Sequence, residues 1–295
     1  MGKKVRIATT GMRPPSGIEQ GKRLAVALAR QAGTAGADLC VLAELYLGEE
    51  NGKACRRPEV IADLEAALVA VAKANQMYIL SSLPHWQDGH MYNAAVLLDR
   101  QGRMSTPYFK IHPTEGEIDA GTRPGNKLGV IDFDFGSLGV TICFDIDWPL
   151  EWRQLAQKGV PGVIWMAAYD GGFPLQSYAW QHRYWVISSS RGYHGKFIDP
   201  TGHVVRQTSQ WDRIAMMDVD FGRTVLHIDK NWLKFPAIRE RYGARVHIES
   251  YSEENYAVIE TLDETLSVQD VIAAFDLETF EQYIGRVTDI QARCR

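Results

Sequence analysis

Absences narrow this 295-residue chain before any motif does. It has four cysteines, Cys40, Cys55, Cys143 and Cys294, far apart and with neither a CxxC pair nor zinc-ligand spacing. That excludes a disulfide framework and fits a reducing compartment. Among eight histidines there is no HExxH, and the nearest pair, His85 and His90, falls in a polar stretch that reads as loop, so no metal site is expected. No run approaches the ~20 apolar residues of a membrane span. The opening MGKKVRIATT lacks the apolar core of a secretory signal, and Arg6 stands where a myristoylation site needs Ser or Thr. Neither sign of charge is in excess: 32 Lys+Arg against 36 Asp+Glu leaves −4, which offers no electrostatic footprint for nucleic acid or an anionic membrane. No internal repeat or low-complexity linker occurs. The expectation is a cytoplasmic protein that handles small molecules, with no nucleic-acid or membrane partner.

With 45% hydrophobic and 23% charged residues the composition is that of an ordinary globular protein, and the length allows one large domain or two average ones. Over the first two-thirds, short apolar runs alternate with amphipathic stretches, which predicts a layered α/β domain. Val5–Thr9 reads as the opening strand, and Ile18–Ala32 as a helix stopped by Gly33. Leu39–Leu42 reads as a buried strand ending at Glu44. After Pro58, Val60, Leu64, Leu68 and Val71 make one apolar helical stripe leading into a strand at Tyr78–Leu83. From Asn93 to Phe109 two strands flank the turn Arg100-Gln101-Gly102 and deliver Lys110. Strands at Leu128–Phe133 and Leu138–Ile142 deliver Cys143. Helices are predicted at Trp152–Gln157 and Leu175–Trp185, with strands at Gly162–Ala167, Val186–Ser190, Lys196–Asp199, Val204–Gln207 and Ile214–Val219.

The chain is thus divided into a domain over 1–221 and an extension over 222–295. The extension reads as mostly helical or irregular: Glu249–Glu264 is acidic and short of apolar runs, and Val268–Ala274 and Thr279–Arg293 read as short helices. Two readings stay open for it, a solvated segment packed on its own subunit or an arm that orders on a neighbouring one.

Glu44, Lys110 and Cys143 each end a strand-like run, and in α/β folds the carboxyl ends of strands are where sites collect. Together they form a nucleophilic set. A carboxylate can take the thiol proton, an ammonium can stabilise the thiolate, and the same ammonium with a backbone N–H after the nucleophile can hold a tetrahedral oxyanion.

The stretches LAELYLGE with Glu44, YFKIHPTEGE with Lys110 and GVTICFDIDWPLEWRQLAQKGV with Cys143 resemble the nitrilase superfamily of carbon-nitrogen hydrolases, in the family's order and at separations of 66 and 33 positions. Tyr92-Asn93-Ala94-Ala95 and Phe197-Ile198-Asp199-Pro200-Thr201-Gly202 are similar to the family's hairpin segments, so the likeness runs from about Val5 to Val219. This resemblance implies a four-layer α-β-β-α sandwich, a Glu-Lys-Cys triad, no metal or organic cofactor, and a homodimer or larger homo-oligomer. It also implies a second glutamate shortly after the lysine. Glu115 and Glu117 both stand there, and Glu117 has the closer spacing.

Cys143-Phe144-Asp145 resembles the amidase and carbamoylase-like branches more than the nitrilases, which place Trp-Glu after the cysteine. The expected substrate is therefore a small linear amide, with a ureido amino acid or a nitrile as alternatives. Asp145 also suits a plain turn cap. Phe144, Tyr46, Trp148 and Tyr169 are candidate substrate-pocket residues, and Ala167-Ala168-Tyr169-Asp170 departs from the Pro-Ser or Asn-Pro-Ser of many relatives. Two rival readings are a thiol hydrolase using His182 or His194 as base, and a non-catalytic scaffold that senses a metabolite.

Overall fold

A computed structural model of the protein describes residues 4–13, 17–50 and 53–295. Val5–Val219 forms one compact unit and Asp220–Arg295 belongs to a second.

The larger unit is built on two six-stranded sheets. Its strands are β1 (Val5–Thr10), β2 (Leu39–Glu44), the short pair β3 (Glu49–Glu50) and β4 (Lys53–Ala54), β5 (Tyr78–Gln87), β6 (His90–Leu98), β7 (Tyr108–Phe109), β8 (Val130–Phe133), β9 (Gly136–Ile142), β10 (Gly162–Ala167), β11 (Trp185–Ser190), β12 (Lys196–Ile198), β13 (Val204–Gln207) and β14 (Ile214–Val219). One sheet has the order β14-β1-β2-β5-β6-β7 and the other β13-β12-β11-β10-β9-β8. The central strands β2, β10 and β11 run parallel to neighbours and are buried at every position, as strands covered on both faces must be.

Helices α1 (Ile18–Thr34) and α2 (Pro58–Asn75) cover the first sheet, where Ala25, Leu28, Leu64 and Leu68 pack with Cys40, Leu42 and Ile79. Helices α4 (Pro149–Gln157) and α5 (Phe173–His182) serve the second, with Trp152 stacked on Tyr178 at 4.3 Å. The sheets meet face to face, Thr9 Oγ1 donating to the Ser188 carbonyl at 2.5 Å and Ser189 Oγ to the Thr10 carbonyl at 3.0 Å. The result is a four-layer α-β-β-α sandwich.

Local details differ from the sequence reading for identifiable reasons. Gly33 does not stop α1: it lies inside the helix, where a Cβ would come 2.3 Å from Asn75 Cγ, so it serves the close approach of α2. His85 and His90 are in strands, not loop. Asp88 and Gly89, at φ 52° and 74°, make the two-residue Asp-Gly turn that closes the β5/β6 hairpin. Trp185 opens β11 instead of ending a helix, because α5 stops at Arg183 in the left-handed region.

The second unit adds to its helices a sheet that the sequence reading does not predict. It has a three-stranded sheet in the order β15 (Thr224–His227), β17 (Tyr256–Thr261), β16 (Val246–Tyr251), with helices α6 (Phe235–Tyr242), α7 (Val268–Phe275) and α8 (Phe280–Arg293). Leu226, Ile238, Ile248, Ile259 and Val271 share its own core. The acidic stretch misled because β16 alternates: Val246 and Ile248 are buried while His247 and Glu249 are exposed, so charge and strand periodicity coexist. Thr279 and Ser267 cap α8 and α7 with reciprocal side-chain bonds.

One close approach in the larger unit fixes the end of β7. The Gly125 N–H donates to the Lys110 carbonyl at 2.8 Å, and a Cβ on Gly125 would lie 2.2 Å from the Phe109 carbonyl oxygen. Gly125→Ala is expected to lose about 1–3 kcal/mol of stability by overpacking, read as a lower urea midpoint.

Candidate active site

Four side chains from four segments converge between the sheets. Glu44 ends β2, Lys110 follows β7, Cys143 opens a 3₁₀ turn after β9, and Glu117 lies in a short helix, α3 (Glu115–Asp119). The Lys110 Nζ lies 2.9 Å from Glu44 Oε1 and 2.7 Å from Glu117 Oε2, with the ammonium only 1% and Glu44 only 3% exposed. Glu115, two positions earlier, is exposed. Burial opposes the charge on Lys110, but Glu44, Cys143 and Glu117 outweigh it and hold the ammonium above the usual lysine range. For Glu117, burial is likewise overcome, by Lys110 and by donors from Thr114 and Asn93, and its pKa is lowered. Thr114 caps α3: its N–H donates to Glu117 Oε2 at 2.8 Å, while its Oγ1 accepts from the Glu117 N–H at 3.3 Å.

Asn93 was not singled out from the sequence as a site residue. Its Nδ2 donates to Glu44 Oε1 and to Glu117 Oε1, 2.8 Å each. The only signal was its place in the hairpin segment that leads back toward β7.

Cys143 adopts φ 46°, a left-handed conformation that costs a residue with a Cβ roughly 1–3 kcal/mol. The surroundings hold it there. Trp165 Nε1 donates to the Cys143 carbonyl at 2.9 Å. Buried Asp145 accepts on Oδ2 from the Ile142 N–H at 2.9 Å and the Tyr108 hydroxyl at 2.7 Å, and on Oδ1 from the His112 N–H at 2.9 Å. Asp145 therefore caps the cysteine turn and ties it to the strand that presents Lys110. Burial of this carboxylate outweighs the donors and raises its pKa.

The thiol itself is pushed up to about 12, first by burial and then by the charge of Glu44, against the opposing pull of Lys110 and the Ala168 N–H. This differs from a thiol activated by a neighbouring ammonium alone. Glu44 stands beside the sulfur and favours the protonated thiol over the thiolate. Glu44 Oε1 accepts from both Lys110 and Asn93.

Residues 6–226 match the family of carbon-nitrogen hydrolases. The chain belongs to that family. Among curated relatives of this carbon-nitrogen hydrolase, Hydrolase C26A3.11 of Schizosaccharomyces pombe is 26% identical over 188 residues, 52% of this chain and 56% of that protein. The match thus spans little more than half of that relative. Deaminated glutathione amidase of Synechocystis is 26% identical over 220 residues, 63% of this chain and 80% of that protein. Among solved structures, an amidase from Nesterenkonia sp. superposes with a TM-score of 0.65 at 20% identity, covering 75% of this chain and 92% of that one, a likeness of fold.

The remaining candidates separate into two groups. Tyr169 is half-exposed, edge-on to Trp165 at 5.3 Å, and its phenol is pushed up to about 12 by partial burial and then by Cys143, Asp147 and Glu44. Trp148 stacks on His112 at 3.9 Å and meets Phe144 edge-on at 4.9 Å, beside the cysteine turn. Tyr46 stands apart from them, against the expectation for it. It is fully buried in the core between the first sheet and its helices, with Cys40, Ser81 and Glu65 about its hydroxyl, and so cannot wall a pocket. Its neighbour Leu45, at φ 44°, turns the chain after Glu44 and sends Tyr46 back toward the helices.

Neither rival histidine is offered to the thiol. His194 Nδ1 lies 2.9 Å from Asp170 Oδ2, and His182 stacks on Tyr178 in α5. Among the described residues no group of three His, Cys, Asp or Glu is arranged to hold a metal ion, and no helix is long and apolar enough to cross a membrane.

Two outcomes follow from the buried cluster. Lys110→Met leaves two carboxylates without their ammonium and is expected to destabilise the fold by about 3–5 kcal/mol in urea denaturation at neutral pH. A lowered carboxylate pKa gives stability that is complete above the unfolded value of 4.5 and is lost as pH falls through the lower folded value. The stability gap between wild type and Glu117→Gln should therefore be widest above pH 4.5 and shrink below it, in denaturation curves measured across acid pH.

Proposed function

We propose that this carbon-nitrogen hydrolase is an amidase, acting on a small linear amide through a Cys143 thioester. The observation that carries this reading is the contact set around one buried ammonium: Glu44 and Glu117 share Lys110, with the Cys143 thiol close enough to feel the charges of Glu44 and Lys110.

Glu44 takes the thiol proton as sulfur attacks the amide carbonyl, so a thiol pushed up to about 12 need not ionise in advance. The S–C bond forms and the C=O pair moves onto oxygen. Lys110, with the Phe144 N–H at the start of the 3₁₀ turn, stabilises that oxyanion. Collapse breaks the C–N bond, and the proton held by Glu44 leaves with ammonia or an amine. Glu44 then takes a proton from water, whose oxygen attacks the thioester carbonyl; the S–C bond breaks, the carboxylic acid leaves, and Glu44 returns the proton to sulfur. Glu117 orients Lys110 and, through Asn93, Glu44. Trp148, Phe144 and Tyr169 form the wall that faces substrate, which presents aromatic surface to the acyl group. Substrate entry next to so exposed a residue as Tyr169 suits a small soluble amide.

The names of relatives lean the same way. Besides the deaminated glutathione amidase, human omega-amidase NIT2 is 22% identical over 223 residues, 65% of this chain and 79% of that protein. The cytoplasm as compartment and a homodimer or larger homo-oligomer as assembly are part of the proposal.

Cys143→Ala should abolish turnover while the protein stays folded by circular dichroism, and Glu44→Gln should lose on the order of 10²–10⁴-fold in kcat. The assay is ammonia release over a panel of primary amides and ureido compounds, with nitriles as controls. Mass spectrometry of wild type with the best substrate should show an acyl adduct on Cys143. Full activity of Cys143→Ala would sink the mechanism.

A further inference from the structure

The mechanism above uses Glu44, Lys110, Cys143 and Glu117, yet the group that touches three of these segments is Asn93. Its backbone carbonyl accepts from the Lys110 N–H at 2.9 Å, and its Nδ2 donates to Oε1 of Glu44 and Oε1 of Glu117. A carboxamide NH2 has two hydrogens, and both are committed. Its oxygen is committed too, accepting from Ser82 Oγ at 2.7 Å. Ser82 and Asn93 are both buried, and Ser82 stands opposite Glu44 in the β2/β5 ladder. A flipped amide would aim its oxygen at two carboxylates, which only accept, so Glu44 and Glu117 fix which way the donors face, and the Ser82 hydroxyl holds the amide oxygen.

The consequence is electrostatic. Two carboxylates meet one ammonium in a buried site, where charges taken out of water are tolerated only with hydrogen-bond donors to replace it. Asn93 supplies one to each. It also shares Glu44 Oε1 with Lys110.

We propose that Asn93, held by Ser82, is a positioning residue that donates to both carboxylates beside Lys110 and keeps Glu44 turned toward Cys143. It touches neither the thiol nor the acyl group. This rests on the reading of Glu44 as the base for Cys143.

The test is the rate of Cys143 alkylation by iodoacetamide as a function of pH, followed by mass spectrometry with Cys143→Ala as the blank. It needs no knowledge of the substrate. Asn93→Leu, which keeps the volume and deletes both donors, should slow alkylation at neutral pH by on the order of 10²-fold and move the acid limb of the profile upward by about one pH unit. Ser82→Ala should move the limb in the same direction by less, and it decides the matter if Asn93→Leu does not fold. A merely structural Asn93 would lower the melting temperature and leave the limb where it is in wild type, and that result overturns the proposal. Glu44→Gln separates the two readings. A wild-type profile for Glu44→Gln means Glu44 is not the base, and both readings fail; an impaired Glu44→Gln beside unshifted Asn93→Leu and Ser82→Ala removes the Asn93 inference alone.

Discussion

The structure turns on one ammonium, Lys110, set out of water between Glu44 and Glu117. Three charges in a buried site are tolerable only when each is paired and hydrogen-bonded, because desolvation costs several kcal/mol per ion. That requirement explains why the surroundings are so heavily bonded. Asn93 donates to both carboxylates, Thr114 caps the helix that carries Glu117, and the Gly125 N–H holds the Lys110 carbonyl. Each of these contacts comes from a different segment, so the cluster ties β2 and β6 to the connection that follows β7.

The nucleophile is placed by a second constraint, the left-handed turn at Cys143. Its cost is met by contacts with both sheets: Trp165 of the second sheet holds the Cys143 carbonyl, and Asp145 reaches Tyr108 on the edge strand of the first. On the proposed mechanism this matters because the thiol is not pre-ionised. A neutral thiol must be held where one oxygen of Glu44 can receive its proton in the same step as attack, and such general-base transfer works only within hydrogen-bond reach. Rigidity at the turn thus stands in for a lowered thiol pKa.

Much of the sandwich was legible because its signals are local. The all-apolar runs of β2, β10 and β11 mark strands buried on both faces, and the stripe Val60, Leu64, Leu68, Val71 marks the buried side of α2. What failed were features set by a partner distant in sequence. Gly33 is read as a stop until Asn75 is seen against it, and Tyr46 reads as a pocket wall until the turn at Leu45 sends it to the core. The strand β16 was hidden by its own charge, since Glu249 is an outward residue of an alternating pattern and not a sign of disorder.

Asn93 shows why the site was only partly readable. Glu, Lys and Cys announce themselves because an ionisable or nucleophilic group after an apolar run conflicts with its setting. A neutral carboxamide in a strand causes no such conflict. Its use appears only when Ser82, Glu44 and Glu117, from three other segments, are brought within 2.7–2.8 Å of it. The same reasoning applies to Asp145, which alone looks like a turn cap and is one, yet whose other oxygen accepts from the His112 N–H, so that a local cap becomes the link between nucleophile and lysine. Groups that carry charge can be found from the chain; groups that hold charge in place are defined by geometry, and in this protein they decide whether the charged groups can act.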